Sequence, residues 1–285
     1  MKIRDILAQE KPTLSFEVFP PKTEANYASV LTAAREIAKL NPSFMSITYG
    51  AGGGTSDYTV DIASHLKSYG VTPLAHITCV SSNRDKVHSV LQELKARDIE
   101  NVLALRGDLP KDGKLSDDYR HAIELLPEIK EAGDFCIGGA CYPEGHVEAK
   151  NKDEDIKYIK MKQDAGCEFF TTQMFFDNSI FFSYLYRLRE RGVTVPIIAG
   201  IMPITNVSQV SRSIQLSGAY MPQRFLSLVD KFGDNPAAMK QAGIAYATDQ
   251  IIDLIANGVK GIHVYSMNKP DVAAKIKENL SDILA

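Results

Sequence analysis

Short apolar runs alternate along the chain with longer segments in which apolar residues recur every three or four positions. The runs have the character of β-strands and occupy residues 14–19, 44–49, 73–80, 102–105, 135–142, 169–176, 195–201 and 262–267. The segments between them have the spacing of amphipathic helices, as in Tyr27, Val30, Ala34 and Ile37 before the second run. The pattern therefore predicts eight strands that alternate with helices.

This alternation favours a parallel sheet covered by helices, and eight repeats are the number in a closed (β/α)8 TIM barrel. We expect one catalytic barrel domain over residues 1–285. A doubly wound sheet is the alternative, but no run is followed by GxGxxG and the glycines at 50–54 have the wrong spacing for a dinucleotide turn. Between Gly200 and Gly261 there is room for more than one helix.

Composition narrows the function classes. The 285 residues are 45% hydrophobic and 24% charged, the range of an ordinary globular protein. A net charge of −3, with no long basic stretch, argues against nucleic acid as a partner. Four cysteines without a CxxC pair, no signal-peptide pattern and no run of eighteen apolar residues predict a cytoplasmic protein with no membrane span.

Polar residues cluster where such a barrel keeps its chemistry, at the carboxyl ends of the strands. Glu17 lies in the phenylalanine-rich first run, where loss of hydration favours the neutral, proton-donating carboxyl that a general acid requires. Two other readings stay open: the side chain points outward between helices, or it pairs with a buried base. Asp108 follows Arg106 and Gly107 after the fourth run, as a functional acid or as a turn cap beside an arginine.

Two further polar residues have equally open roles. Gln173 could bind a flat polar heterocycle through its amide, or be tied to the backbone. His76 taken alone is more often a core histidine than a ligand. The six histidines show no HxH or HExxH spacing, and no strand run contains a lysine, so neither a metal site nor a Schiff-base amine is indicated.

Seven segments together resemble the methylenetetrahydrofolate reductase family in its short bacterial form, in the family's order and nearly end to end. They are SFEVFPPK at 15–22, SITYGAGGGT at 46–55, AHITC at 75–79, ALRGDLP at 104–110, CYPEGHVEAK at 141–150, TTQMFFD at 171–177 and GIMPITN at 200–206. The resemblance implies a (β/α)8 barrel with FAD at the strands' carboxyl ends. It also implies reduction of 5,10-methylenetetrahydrofolate to 5-methyltetrahydrofolate with electrons from NAD(P)H, a step of one-carbon metabolism.

The resemblance also assigns residues by motif. Glu17 would protonate the folate nitrogen that leaves as the methylene bridge opens, and the negative charge of Asp108 would favour the resulting cation. The folate side would comprise Glu17, Asp108, Gln173, Gln209 and Lys269. The FAD side would comprise Thr48, Tyr49, Ala51, His76, Arg106, Gly107, Asp108, Tyr142, His146, Ala149, Asp155 and Lys162. A homo-oligomer is expected, because such barrels commonly assemble.

The chain departs from a familiar enterobacterial member at four of the positions compared. Met161 and Tyr158 replace an arginine and an asparagine near the flavin-binding lysine, Ser213 replaces a stacking phenylalanine, and Lys269 replaces an arginine. Two rival hypotheses remain: flavin-dependent amine oxidation of the proline dehydrogenase kind, and a non-redox barrel that binds a pterin or a partner. Glu17, Gln173 and the RGDLP loop favour folate over amine oxidation.

Overall fold

Eight parallel strands form the centre of a computed structural model, which describes residues 1–21, 23–49, 56–80, 82–108 and 116–285, with no side-chain description at 56, 57 and 216. The strands are β1 Thr13–Val18, β2 Met45–Ile47, β3 Pro73–Thr78, β4 Asn101–Leu105, β5 Cys136–Cys141, β6 Phe169–Thr172, β7 Ile197–Ile201 and β8 Gly261–Val264. Each strand pairs in parallel with its neighbours in chain order, and β8 closes on β1. The predicted (β/α)8 barrel is confirmed.

One helix precedes the first strand, and the other helices follow the strands and cover the outside of the barrel. They are α1 Ile3–Leu7, α2 Tyr27–Ala38, α3 Ser56–Ser68, α4 Arg84–Ala96, α5 Leu125–Ala132, α6 Lys152–Ala165, α7 Asn178–Glu190, α8 Ser208–Ser217, α9 Gln223–Phe232, α10 Pro236–Ala256 and α11 Pro270–Asn279. Three of them, α8 to α10, fill the long interval between β7 and β8, as predicted. Among the described residues, no helix has both the length and the apolarity to cross a membrane.

The main hydrophobic core lies between the strands and this outer layer. Leu14, Phe16 and Val18 of β1 belong to it, together with apolar residues of the surrounding helices such as Ile37 of α2. Because side chains alternate across a strand, the intervening Ser15 and Glu17 must face the barrel interior. Strand alternation therefore decides which residues of β1 are available for chemistry.

A second apolar cluster closes the amino-terminal end of the barrel. Ile3, Ile6 and Leu7 of α1 pack against inward side chains of the strands, including Phe44 and Leu74. Burial of these side chains removes apolar surface from water, at about 25 cal/mol per Å². The interior is thus sealed and apolar at one end, so the polar groups above it face the strands' carboxyl ends.

Candidate active site

A polar cluster occupies the barrel interior above the apolar plug. The Glu17 carboxyl is buried, and its Oε2 lies 3.3 Å from the Ser46 hydroxyl, 3.7 Å from His76 Nε2 and 3.8 Å from His263 Nε2. These neighbours come from β2, β3 and β8. A side chain of β1 can meet all three only inside the barrel, so the outward orientation considered from the sequence is wrong, and the carboxyl does lie beside buried bases.

The His263 ring is held on both of its nitrogens. Its Nδ1 lies 2.8 Å from the Ser15 hydroxyl, which donates to the Ile262 carbonyl at 3.0 Å, and its Nε2 lies 3.1 Å from the Ser46 hydroxyl. The Phe44 ring stacks against the imidazole at 5.9 Å between centroids. His263 and the two serines were not among the predicted site residues.

His76 is the second imidazole beside Glu17, and it is bound differently. Its Nε2 is buried and has no hydrogen-bond partner within the ranges that the structure describes. Burial lowers the pKa of His76 to about 4, and the nearby Glu17 carboxyl offsets only part of that effect. His76 is therefore neutral at physiological pH, a proton acceptor or donor of modest strength with one nitrogen facing the carboxyl.

The loop after β4 starts with a cation and a tight turn. The Arg106 guanidinium is ion-paired with Glu148, while its buried Nε has no hydrogen-bond partner among the described residues. Gly107 has φ +88°, and a Cβ there would lie 2.9 Å from Thr78 Cβ, so backbone conformation and space both require glycine. Asp108 comes next and is exposed at the rim.

The segment after β5 adds an aromatic pair and a buried acid. The rings of Tyr142 and His146 meet edge to face, with centroids 4.7 Å apart. Asp155 lies in the first turn of α6, which is capped by the Asn151 side chain accepting from the Glu154 N–H at 2.9 Å. Burial raises the pKa of Asp155 to about 6, although the Lys162 charge and a hydrogen bond from the His146 backbone partly offset it.

Electrostatic coupling joins these side chains into one region. Burial raises the pKa of Tyr142 to about 12; the Arg106 charge opposes this rise, while the Asp155 and Asp108 carboxylates add to it. Burial also raises the pKa of Tyr265 well above its ordinary value, with Glu17 adding to the effect. Tyr265 lies beside the His263 ring, at 5.3 Å between centroids. The interior carboxyl and the charged rim therefore belong to the same site.

The predicted folate side chains are tied to nearby groups. Gln173 follows the end of β6, and its Oε1 accepts from the Met174 N–H at 2.9 Å, which matches its alternative role as a backbone-bound amide. Gln209 Oε1 accepts from the Thr205 N–H at 2.8 Å, and Lys269 Nζ donates to the Thr205 hydroxyl at 2.9 Å. The structure thus brings Gln209 and Lys269 together through Thr205.

The remaining predicted positions lie after β2, before or within α6, or outside the described residues. Thr48, at the end of β2, accepts through its carbonyl from the Thr59 hydroxyl at 3.0 Å, and Tyr49 is buried beside it. The Ala149 N–H donates to the His146 carbonyl at 3.0 Å, and Lys162 Nζ donates to the Ala140 carbonyl at 3.3 Å. Ala51 lies outside the described residues.

Three of the departures from the family pattern differ in exposure. Met161 and Tyr158 are exposed on α6, at 42% and 48%. Ser213, by contrast, is buried within α8. A phenylalanine at position 213 would therefore need space that neighbouring residues occupy around the serine.

The chemistry of the rim residues fits a dinucleotide cofactor. Arg106 and Lys162 would supply positive charge for a diphosphate, Tyr142 and His146 would supply rings, and Asp155 would supply a carboxylate for hydroxyl groups. Two of these side chains have buried atoms without a hydrogen-bond partner in the described part of the chain, Arg106 Nε and Asp155 Oδ2. Since buried polar atoms are usually paired, these atoms are consistent with a polar ligand at the rim.

The sequence contained a usable signal for the residues that were missed. Ser15 and Glu17 alternate with the outward apolar residues of β1, and Ser46 and His263 each stand alone between apolar neighbours in short strands. An isolated polar residue at an inward position of a barrel strand predicts a polar interior. The identity of its partner, however, depends on the register between strands.

These features define the class of the protein: a (β/α)8 barrel with a buried acid inside and a cationic rim at the strands' carboxyl ends. A family model described as methylenetetrahydrofolate reductase matches residues 2–281. The chain belongs to the methylenetetrahydrofolate reductase family. Membership supports reduction of a methylenetetrahydrofolate, and it favours folate chemistry over the amine-oxidation alternative.

Individual relatives agree with this assignment. The chain is 33% identical over 273 residues to a 5,10-methylenetetrahydrofolate reductase of Pectobacterium carotovorum subsp. carotovorum, covering 95% of this chain and 91% of that one. It is 33% identical over 295 residues to methylenetetrahydrofolate reductase (NADH) 1 of Arabidopsis thaliana, covering 98% of this chain and 50% of that one. The chain therefore spans about half the length of the plant relative.

A solved structure shares the fold. An uncharacterized protein from Clostridium thermocellum, described as binding two copies of 5-methyl-5,6,7,8-tetrahydrofolic acid, superposes with a TM-score of 0.74 at 17% identity. The superposition covers 98% of this chain and 99% of that one. At this identity the likeness concerns the fold alone.

Proposed function

We propose that the protein reduces 5,10-methylenetetrahydrofolate to 5-methyltetrahydrofolate, using FAD as hydride carrier and NAD(P)H as reductant, with Glu17 as the general acid. The observation that carries this proposal is the position of the Glu17 carboxyl, buried inside a barrel whose chain belongs to the folate reductase family. Reductive opening of the methylene bridge needs a proton on the departing nitrogen. A carboxyl shielded from water can supply it.

The rim residues would hold the cofactor. Arg106 and Lys162 would face the diphosphate, and Tyr142 and His146 would contact the rings. Bound FAD would supply hydride transfer, chemistry that no side chain provides. Asp108, exposed at the rim and electrostatically coupled to Tyr142, would favour the cationic form of the folate.

The folate would be oriented from the other side of the barrel. Gln173 would bind the pterin, while Gln209 and Lys269, joined through Thr205, would contact more distant parts of the substrate. We further propose that the protein acts in the cytoplasm as a homo-oligomer.

The decisive experiment separates the two half-reactions by stopped flow. In Glu17→Gln, the flavin should bind and be reduced by NAD(P)H at the wild-type rate, because that step needs no proton from Glu17. Oxidation of the reduced enzyme by methylenetetrahydrofolate should fall by at least about 10²-fold, the usual contribution of a positioned acid. Equal loss in both half-reactions would make Glu17 a structural residue instead.

A binding-only barrel is the competing function, and the described ligand of the Clostridium thermocellum protein gives it a specific basis. Flavin absorbance distinguishes the two. A purified protein that is yellow, or becomes yellow on reconstitution with FAD, supports the reductase. A colourless protein that binds 5-methyltetrahydrofolate but takes up no FAD supports the binding module.

A further inference from the structure

The buried hydroxyl of Ser46 lies between two ionisable side chains. Its Oγ is 3.3 Å from Glu17 Oε2 and 3.1 Å from His263 Nε2, whereas those two atoms are 3.8 Å apart. We propose that Ser46 connects Glu17 to His263 so that the two share one proton, and that this is the proton delivered to the folate nitrogen. The inference rests on the proposed function, in which Glu17 is the acid.

The hydrogen bonds of Ser15 bear on the tautomer of His263. The Ser15 hydroxyl has one proton, and it donates that proton to the Ile262 carbonyl, which can only accept. With the Ser15 proton assigned to that carbonyl, the contact of 2.8 Å between Ser15 Oγ and His263 Nδ1 is a hydrogen bond donated by Nδ1, and this assignment is part of the proposal. In the neutral ring Nε2 is then an acceptor, directed at Ser46.

With a hydrogen on His263 Nδ1, two arrangements of the cluster are complete. In the first, the neutral Glu17 carboxyl donates to Ser46 Oγ, and the Ser46 hydroxyl donates to His263 Nε2. In the second, Nε2 carries the proton and donates to Ser46 Oγ, while Ser46 donates to the Glu17 carboxylate. They interconvert when each proton moves one step along its hydrogen bond, so one O–H bond of Glu17 is exchanged for one N–H bond of His263.

Transfer of the proton from Glu17 to folate can be written with every bond broken and formed accounted for. The Glu17 O–H bond breaks, a bond from hydrogen to the departing nitrogen forms, and the nitrogen keeps the electron pair of its broken bond to the bridge carbon. The Ser46 hydroxyl then donates to the carboxylate left behind. A proton from water restores the shared state before the next turnover.

His76 provides a comparison within the same cluster. Its Nε2 lies 3.7 Å from the same Glu17 oxygen but has no hydrogen-bond partner among the residues described, so no hydroxyl of these residues connects the two groups. Tyr265, the remaining titratable neighbour of His263, donates its hydroxyl to the Thr172 carbonyl at 2.6 Å. The proton path therefore leads to His263 and to neither of the other groups.

The first test needs no turnover. Nuclear magnetic resonance of protein labelled with 15N in histidine should show neutral His263 as the Nδ1–H tautomer, and the Nε2 resonance of His263 should move in Ser46→Ala and in Glu17→Gln. Ser266→Ala is the matched control, because that buried hydroxyl donates to the Glu17 backbone carbonyl at 3.0 Å and should leave the Nε2 resonance unchanged. A neutral Nε2–H tautomer, or an Nε2 resonance unaffected by Ser46→Ala, overturns the proposal.

The second test is a double-variant cycle on the folate half-reaction. Ser46→Ala and His263→Gln should each slow this step and shift its pH midpoint, leave flavin reduction by NAD(P)H unchanged, and in combination be no slower than the slower single variant. Ser46→Ala combined with His76→Gln should instead multiply the two effects. Multiplied losses in the first pair, or uniform slowing without a pH shift, overturn the shared-proton role.

A variant that retains the hydroxyl controls for misfolding of Ser46→Ala. Ser46→Thr keeps the donor and acceptor of the serine, so it should recover more of the folate half-reaction than Ser46→Ala does; equal loss in both contradicts the proposal. If the wild-type protein does not reduce methylenetetrahydrofolate at all, the proposed function fails. The histidine spectra still decide separately whether Ser46 couples Glu17 to His263.

Discussion

Asp155 should destabilise the cofactor-free protein as the pH rises. Its side chain is only 5% exposed, its Oδ2 has no hydrogen-bond partner, and burial raises its pKa from 3.8 to about 6. The folded state therefore holds this proton more tightly than the unfolded state. The resulting stabilisation is fully present below pH 3.8 and is lost as the pH rises through about 6.

The size of the effect follows from the shift. About two pKa units amount to roughly 3 kcal/mol at high pH, of which about half develops between pH 5 and pH 7.5. Asp155→Asn removes the titration. The free energy of unfolding of the variant minus that of the wild type should therefore rise by roughly 1 kcal/mol across this interval.

Urea unfolding of cofactor-free protein at several pH values measures this difference directly. Asp153→Asn is the matched control, since it removes the same charge from the first turn of the same helix at an exposed position, and its difference should stay flat. A flat or falling difference for Asp155→Asn would refute the reasoning. Asp155→Asn should also bind FAD more weakly than the wild type does. In the wild type, the bound cofactor would be the partner of this buried carboxylate.

Three further predictions concern the turn, the plug and the rim. Gly107→Ala should lower the free energy of unfolding by about 1–3 kcal/mol. The loss should exceed that of Gly70→Ala, because Gly70 has a similar φ of +82° but a Cβ there would meet nothing within 4 Å. Equal losses in urea unfolding would contradict the steric clash inferred at Gly107. Ile3→Ala should cost about 2–5 kcal/mol by the same assay, because Ile3 is fully buried at the closed end, and a cost below about 1 kcal/mol would mean that α1 seals nothing. Asp108→Asn should slow the folate half-reaction and spare flavin reduction, and an unchanged folate step would remove its electrostatic role.

Periodicity predicted the eight strands, and the absence of GxGxxG favoured a barrel over a doubly wound sheet. Runs of β-branched and aromatic residues favour strands, and eight such runs separated by amphipathic helices leave few topologies. The boundaries were less accurate: the sixth run was predicted over 169–176, but β6 ends at Thr172. Phe175 and Phe176 are buried all the same, and apolar composition alone does not distinguish a buried loop from a strand.

The site was only partly predictable, because its contacts join residues far apart in the chain. The residues of the first run singled out Glu17 and the motif resemblance added Asp155, yet the local pattern left open whether the Glu17 carboxyl faces inward. His263 appeared only as one of six histidines, because its role depends on the register that sets β8 beside β1 and Ser15 beside His263. No local pattern contains that information.

The position of a residue along its strand nevertheless indicates how deep in the barrel that residue lies, since all eight strands run in the same direction. In β3 the inward side chains change from Leu74, in the apolar plug, to His76, beside Glu17. From Phe44, just before β2, the next inward residue is Ser46, and the same change occurs. Because buried polar groups are costly unless paired, a polar residue that follows an apolar one along an inward face marks the depth at which partners must be present. Applied to β2 and β3, this rule places Ser46 and His76 at one level, and the register of β1 with β2 sets Glu17 beside Ser46. The rule does not find His263, because the preceding inward residue of β8 is Gly261, which has no side chain to mark the apolar plug.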